Sequence, residues 1–320
     1  MTDKRIAILG IFVADVAFRT PRQPAWGETV IGTGFKLGPG GKGSNQAVAA
    51  ARLGGAVSFI SKLGADTFGE LARHTYAEEG IDTRFVFASG EHATGAAAII
   101  IDEARGENAI IVYPGACNHL SIAEVEQAGS MITQSAVFMT NLELPVPVVL
   151  RGLELARRAG VPTVFNPAPA VPVPPGIFAL CDYITPNESE AAGLTGLPIA
   201  SLADAERAAD ALLARGVGNV VMTLGENGAL VRNARLSRHL PAVQAGPVVE
   251  TTGAGDAFNG GFAIALAEGA DLVAAAEFGC VVAGLSVTRP GTAPSMPRRA
   301  EADRLMAQVR GRVEAGGSGA

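Results

Sequence analysis

Three short segments of this 320-residue chain hold residues whose types and spacing could do chemistry. In Glu250-Thr251-Thr252-Gly253-Ala254-Gly255-Asp256-Ala257-Phe258, small residues at 253 to 255 follow Pro247-Val248-Val249, which reads as a strand end. They precede Asn259 to Ala267, which reads as a helix. Small residues let the backbone turn sharply and aim several N–H groups at one point. The positive end of the following helix faces the same point. This suits phosphate oxygens, with Asp256 beside them to accept a proton from an attacking hydroxyl. The same residues also suit a tight strand-to-helix turn capped by Asp256.

The second segment is Gly38-Pro39-Gly40-Gly41-Lys42-Gly43-Ser44-Asn45-Gln46-Ala47, again leading into a helix. Gly40 and Gly41 permit close approach of the backbone to a ligand, and Lys42 and Asn45 can hydrogen-bond hydroxyls. It is not a P-loop, because the Gly-Lys-Ser/Thr spacing is absent. The third is Thr185-Pro186-Asn187-Glu188-Ser189-Glu190, at the end of a strand read over Asp182-Tyr183-Ile184. Acids and amides at the carboxyl edge of a parallel sheet stand where α/β proteins bind ligands. Asn187 and Glu190 suit Mg²⁺ held through water, since that ion dehydrates reluctantly. Helix capping by Asn187 is the competing reading.

The elements that must position these segments alternate. Strands are read at Ile6 to Leu9, Val57 to Ile60, Ala136 to Met139, Val161 to Phe165, Asp182 to Ile184 and Val220 to Met222. Helices are read at Asn45 to Leu53, Phe68 to Glu79, Val146 to Ala159 and Leu202 to Arg215. Such alternation predicts a three-layer α/β core with a mostly parallel sheet. Two segments break the rhythm, Glu28 to Gly38 and Thr94 to Tyr113. They read as strands of a small antiparallel sheet, the second as a hairpin turning through Asp102 to Glu107. The expected division is a core of 1–12, 39–93 and 115–312, a β-sheet lid of 13–38 and 94–114, and a flexible tail of 313–320. One lid face is expected to close over a ligand, and the other to meet a second subunit.

Composition narrows the class. The chain is 48% hydrophobic, enough for a large core, and carries a formal charge of −6. With a pI near 5.3 and no basic run, a nucleic-acid partner is not expected. Met1 to Gly10 lacks the layout of a secretory signal, and no apolar stretch approaches the ~20 residues of a membrane span. Cys117, Cys181 and Cys280 are isolated and odd in number, which fits reduced thiols in a cytoplasmic protein. His74, His92, His119 and His239 are scattered and form no metal-ligand spacing. Gly10 ends the first strand without a Gly-x-Gly-x-x-Gly fingerprint, which argues against a nicotinamide oxidoreductase.

Read together, the motifs resemble the ribokinase-family carbohydrate kinases over nearly the whole chain. The match runs from Gly10 and Asp15 through Gly40 to Ala47, Asn166-Pro167-Ala168-Pro169, Thr185 to Glu188 and Thr223-Leu224-Gly225. It closes with Thr252 to Asp256 and Gly291-Thr292-Ala293-Pro294-Ser295. The resemblance implies a Rossmann-like core with a β-sheet lid that covers the sugar and often forms the dimer contact. It implies that Asp15, Gly41, Lys42, Asn45 and Glu143 hold sugar hydroxyls. Asp256 would be the catalytic base and Gly253, Ala254 and Gly255 the anion hole for the phosphoryl group of ATP. Asn187 and Glu190 would organise Mg²⁺, and Thr223, Gly225, Gly228 and Cys280 would line the nucleotide site. Glu250, Thr252, Ser286, Arg289, Gly291 and Ser295 would surround a monovalent cation, usually K⁺.

Three residues depart from that pattern. Val13 stands where the family has an Asn that touches the sugar, Glu250 replaces an Asp, and Cys280 replaces a His near adenine. The expected acceptor is the hydroxymethyl group of a small sugar. Ribose comes first, and another pentose, a ketohexose or a nucleoside comes next. A non-catalytic sugar or nucleotide sensor on this fold is the alternative, although a sensor has no need of an intact Asp256.

Overall fold

The computed structural model describes residues 5–105 and 107–317. The chain opens with β1 (Arg5–Leu9), β2 (Val13–Thr20), β3 (Gly34–Gly40) and α1 (Lys42–Arg52). It continues through β4 (Ala56–Gly64), α2 (Thr67–Glu78), β5 (Asp82–Ser89), β6 (Thr94–Asp102) and β7 (Glu107–Gly115). Then come α3 (Ile122–Gln127), α4 (Gly129–Thr133), β8 (Val137–Asn141), α5 (Val146–Arg158), β9 (Thr163–Asn166) and β10 (Tyr183–Ile184). Next are α6 (Glu188–Thr195), α7 (Leu202–Leu213), β11 (Asn219–Thr223), β12 (Ala229–Asn233) and β13 (Leu236–Leu240). The described chain closes with α8 (Ala254–Ala267), α9 (Leu272–Ser286) and α10 (Arg299–Gly317).

Among the described residues, nine strands form one sheet in the order β13-β12-β11-β10-β9-β8-β1-β4-β5. Pairings from β5 to β11 are parallel, and β11-β12-β13 is an antiparallel extension. Strands β8 and β9 are buried at every position. That is why they read as continuous apolar runs: helices cover both faces of the sheet. One apolar layer lies against α1, α8 and α9, the other against α5 and α7. Strand order reverses at β1, which has β4 on one side and β8 on the other. The crevice at the carboxyl ends of these strands is the expected ligand position.

Helices α1 and α8 meet over one face of this sheet through their smallest residues. A Cβ on Gly260 would lie 2.5 Å from the Ala49 Cβ and 3.0 Å from the Ala50 nitrogen. No larger side chain fits there, so the two helices run close enough for α1 side chains to reach the first turn of α8.

The second sheet has the order β3-β2-β6-β7. Its β2–β3 and β6–β7 pairs are antiparallel, but β2 and β6 run parallel, so the expected fully antiparallel sheet is corrected to a mixed one. The cause is topological: β2 follows β1 and β6 follows β5, and both leave the carboxyl edge of the same parallel sheet. The expected strand from Glu28 is shorter and begins at Gly34. Glu28 instead closes a loop, accepting from Arg22 Nη1 at 2.7 Å and the Ala25 N–H at 2.9 Å. Val248 and Val249 form no strand, because the Val249 and Glu250 N–H groups donate to the Val287 carbonyl. Of the expected tail, 313–317 belongs to α10, and 318–320 lies outside the described residues.

On the mixed sheet Asp15, Lys36 and Ile99 turn toward the crevice. Phe18, Phe35, Leu37, Ile111 and Tyr113 are exposed on the opposite face. Among the described residues no helix is long and apolar enough to cross a membrane.

Replacing Gly260 by Val should drive α1 from α8 and destabilise the chain by about 1–3 kcal/mol, the usual cost of overpacking. Thermal melting checks this, and a midpoint equal to that of the parent chain would contradict the contact.

Candidate active site

The residues at 253 to 256 adopt the turn that the sequence suggests, but the helix starts earlier than expected, at Ala254 rather than Asn259. Gly253 is its N-cap in the left-handed region at φ 84°, a conformation that favours glycine. The early start puts Asp256 in the first turn, and the side chain is buried. Ala254 N–H is taken by the Thr251 carbonyl at 3.1 Å, so it is not a free donor. Gly255 N–H, in the first turn of α8, donates to no backbone partner among the described residues.

Asp256 is held from α1. Asn45 Nδ2 donates to its Oδ2 at 2.9 Å, and Gln46 Nε2 donates to its Oδ1 at 3.1 Å. Burial raises the Asp256 carboxyl above the ordinary range, against the pull of Lys42 and these two amides. Burial alone would depress the Lys42 ammonium, but Asp256, Glu143 and Glu190 outweigh it and hold it above its ordinary value. The Lys42 backbone N–H donates to Glu143 Oε2 at 2.8 Å. Burial pushes Glu143 up to about 8, opposed mainly by Lys42. The carbonyl oxygen of the Asn45 side chain is buried without a partner among the described residues. An orphaned acceptor beside a carboxylate costs about 1–3 kcal/mol unless a hydroxyl fills it.

Asp15 lies on β2 at the floor of a cavity of about 500 Å³ between the mixed sheet and the 290–294 loop. Burial pushes its carboxyl up to about 6, with Thr292 opposing. Thr292 Oγ1 stands 3.3 Å from Asp15 Oδ2 and 3.0 Å from the Pro39 carbonyl, joining this loop to the base of the sheet. A Cβ on Gly40 would lie 2.4 Å from both Asp15 carboxylate oxygens, so only glycine leaves that carboxylate its place. Val13, two residues before Asp15 on the same face of β2, is buried with Ala97, Leu142 and Leu144.

The third motif takes the capping form. Asn187 caps α6, its Oδ1 accepting from the Glu190 N–H at 2.8 Å, while Glu190 Oε2 accepts from the Asn187 N–H at 2.9 Å. One Glu190 oxygen remains available to a hydrated cation, and burial raises this carboxyl. Asn187 bridges to Thr223, whose N–H donates to the Pro186 carbonyl at 2.9 Å. The tight turn after Thr223 contains Gly225 and Gly228, and a Cβ on Gly228 would lie 2.0 Å from the Leu240 carbonyl oxygen. Cys280 is buried on α9 in the same apolar layer as Ala229, and burial pushes its thiol up to about 12.

The loops carrying the expected cation residues are tied together. Glu250 Oε2 accepts from the Gly291 N–H at 2.7 Å, so the longer acid reaches across rather than into solvent. Ser295 Oγ donates to the Thr292 carbonyl at 2.8 Å, and Ser286 Oγ to the Ala283 carbonyl at 2.8 Å. The Arg289 guanidinium turns away to Glu301 on α10. Thr252, Glu250, Arg289 and Gly291 carbonyls accept no hydrogen bond among the described residues, which leaves oxygen donors of the kind a monovalent cation takes.

Thus Asp15, Lys42, Asn45, Glu143, Glu190 and Asp256 face one crevice, whereas the Arg289 side chain points elsewhere and Cys280 sits in the core. The sequence reading passed over Gln46, Asn166, Thr292 and Asn259 as site groups. Asn166 and Thr185 each end or follow a parallel strand, and polar residues at that edge are the signal that could have found them.

Comparison with known proteins agrees with this geometry. A model of the pfkB family of carbohydrate kinases matches residues 3–299. The Haemophilus influenzae ribokinase is 40% identical over 300 residues, covering 93% of this chain and 97% of that protein. The Salmonella typhimurium deoxyribokinase is 34% identical over 293 residues, covering 91% and 95%. The Arabidopsis thaliana ribokinase structure, complexed with ribose and ATP, superposes with a TM-score of 0.91 at 28% identity, covering 96% of this chain and 99% of that one. The chain belongs to the pfkB family of carbohydrate kinases, enzymes that phosphorylate a sugar with ATP.

Proposed function

We propose that this kinase transfers the γ-phosphoryl group of ATP to the hydroxymethyl group of a pentose, with Asp256 as the base. The observation that carries this reading is the buried Asp256 carboxylate, held by two amide donors in the first turn of a helix whose positive end faces the crevice. Asp256 takes the hydroxyl proton as the oxygen bonds to the γ-phosphorus, while the bond from that phosphorus to the bridging oxygen breaks and ADP departs. Phosphoryl transfer has a loose transition state, so the protein contributes mainly alignment and charge neutralisation. Lys42 and the start of α8, with the Gly253-Ala254-Gly255 backbone, supply the positive field. Asn45 Oδ1, Asp15 and Glu143 offer acceptors to the remaining hydroxyls. The mixed sheet above the cavity is the lid, and its closure keeps water from the phosphoryl group.

Glu190 would hold Mg²⁺ through water, and the ion would supply charge neutralisation at the phosphoryl group. That fits Glu190, whose Oε2 accepts from the Asn187 N–H while Oε1 accepts no hydrogen bond among the described residues. The unpaired carbonyls of the 250–252 and 289–291 loops would hold K⁺, which would strengthen the field at the anion loop. Thr223, Gly225 and Gly228 would line the nucleotide site. Three buried free thiols fit a cytoplasmic location.

Ribose is the first acceptor, as in the names of the relatives. The apolar Val13 favours a second reading, 2-deoxyribose, since a site that reads a hydroxyl with a polar group rejects the analogue lacking it by about 10⁴–10⁵, and an apolar wall does not. ATP consumption with ribose and 2-deoxyribose, in potassium and in sodium, tests the whole reading. We expect turnover of both pentoses, within about 200-fold of each other, and faster in potassium. Ribose preferred by 10⁴ or more would remove the second reading, equal rates in both salts would remove the cation, and silence with every sugar would remove the kinase reaction proposed.

The exposed apolar face of the lid, with Ile111 74% and Phe35 63% exposed, supports a homodimer formed lid to lid. Sedimentation at twice the chain mass is expected; a monomer at micromolar concentration would contradict it.

A further inference from the structure

Beneath Asp256 runs a chain of buried side-chain hydrogen bonds, of which the proposed reaction draws only on the first, from Gln46 to Asp256. Gln46 Nε2 donates both to Asp256 Oδ1 at 3.1 Å and to Asn166 Oδ1 at 3.2 Å. Asn166 Nδ2 donates to the Thr185 carbonyl at 2.8 Å. Thr185 Oγ1 donates to Asn259 Oδ1 at 2.6 Å, and Asn259 Nδ2 donates to the Gly255 carbonyl at 2.8 Å. Gly255 and Asp256 are consecutive, so the chain closes into a ring through α1, the ends of β9 and β10, and α8. Each of its side chains is less than one-tenth exposed.

The orientation of Gln46 is dictated from both sides. An ionised Asp256 can only accept, and Asn166 uses its amide nitrogen on Thr185, so the Gln46 NH₂ must face both. The Gln46 carbonyl oxygen is left buried with no partner among the described residues. An apolar side chain of equal length would avoid that unmet acceptor, but it would take the Gln46 donor from both Asp256 Oδ1 and Asn166 Oδ1. A glutamine kept only for packing has no reason to be there. A glutamine kept to aim two N–H bonds does.

We propose that Gln46 is a positioning residue that fixes the Asp256 carboxylate, and that the ring locks the base to the Gly255 carbonyl so that base and anion loop move as one unit. This rests on the reading of Asp256 as the base. Gln46 touches no reacting atom; it acts through Asp256. The other charged groups facing Asp256 are Lys42 on α1, Asp15 on β2, Glu143 after β8 and Glu190 on α6.

Two variants of equal length test it. Gln46→Met removes the donors. Without that hydrogen bond to its charged form, Asp256 holds its proton to a higher pH, so the acid limb of kcat should move up. Turnover should fall about tenfold to a hundredfold from lost alignment, with the acceptor KM little changed. Gln46→Glu places a second carboxylate beside Asp256 and should move the limb further. Both are measured as kcat and KM against pH, beside thermal melting and Asp256→Asn as reference. An unmoved acid limb in both variants, or failure of both to fold, would overturn the proposal and leave Gln46 a structural residue. If Asp256→Asn is itself active, the base reading fails; if it is inactive while both Gln46 variants keep the parent profile, only the ring proposal fails.

Discussion

The structure turns on one unfavourable act, the burial of the Asp256 carboxylate at the start of α8. An ionised carboxylate taken from water without partners is so costly that it protonates instead. Asn45 and Gln46 offset that cost with hydrogen bonds to a charged group, worth about 1.5–3 kcal/mol each, and Lys42 offsets it with its charge. All three partners come from the first turns of α1, so the carboxylate depends on α1 and α8 running in contact. That contact depends in turn on Gly260 having no side chain.

Around this pair the parallel sheet does the assembling. Each strand delivers one polar residue to the same edge: Asn141 ends β8, Asn166 ends β9, Thr185 follows β10 and Thr223 ends β11. The mixed sheet rises from that edge too, because β2 and β6 leave it in the same direction. Asp15 on β2 therefore hangs over the crevice that holds Asp256, and Thr292 pins it there. Asp15, Glu143 and Asp256 all have raised titration, so their ionisation at neutral pH opposes folding. Stability from these groups declines as pH rises above the ordinary carboxylate range. Acid groups crowded in one crevice are a cost that a packing role alone does not explain.

Most of the architecture was legible in the sequence for a physical reason. Buried parallel strands must be apolar throughout, and the Ala-rich runs between them can only be helices against that sheet. What escaped was long-range or conformational. The helix read from Asn259 starts at Ala254, because glycine and alanine at 253 to 255 serve a turn and a first helical turn equally well. The direction of β2 against β6 is set by which sheet edge the chain leaves, which no local pattern records. Gln46 was hidden by its neighbour: Asn45 carried the motif, and nothing in the sequence says that residue 46 meets residues 166 and 256. Asn187 and Glu190 fold as a capping box, one of the two roles that their spacing suits, with one Glu190 oxygen outside it. Val13 was legible as a departure, and it is buried in the apolar layer that also holds Ala97, Leu142 and Leu144.

The most direct test of the account is Asp256→Asn, an isosteric change that keeps an acceptor for Asn45 but removes the charge and the proton-accepting capacity. Nucleotide and sugar binding by calorimetry should survive. Turnover should fall by about 10²–10⁴, the usual contribution of a positioned base. Turnover close to that of the parent enzyme, with binding intact, would contradict the claim that the buried carboxylate at the start of α8 is the centre of the chemistry.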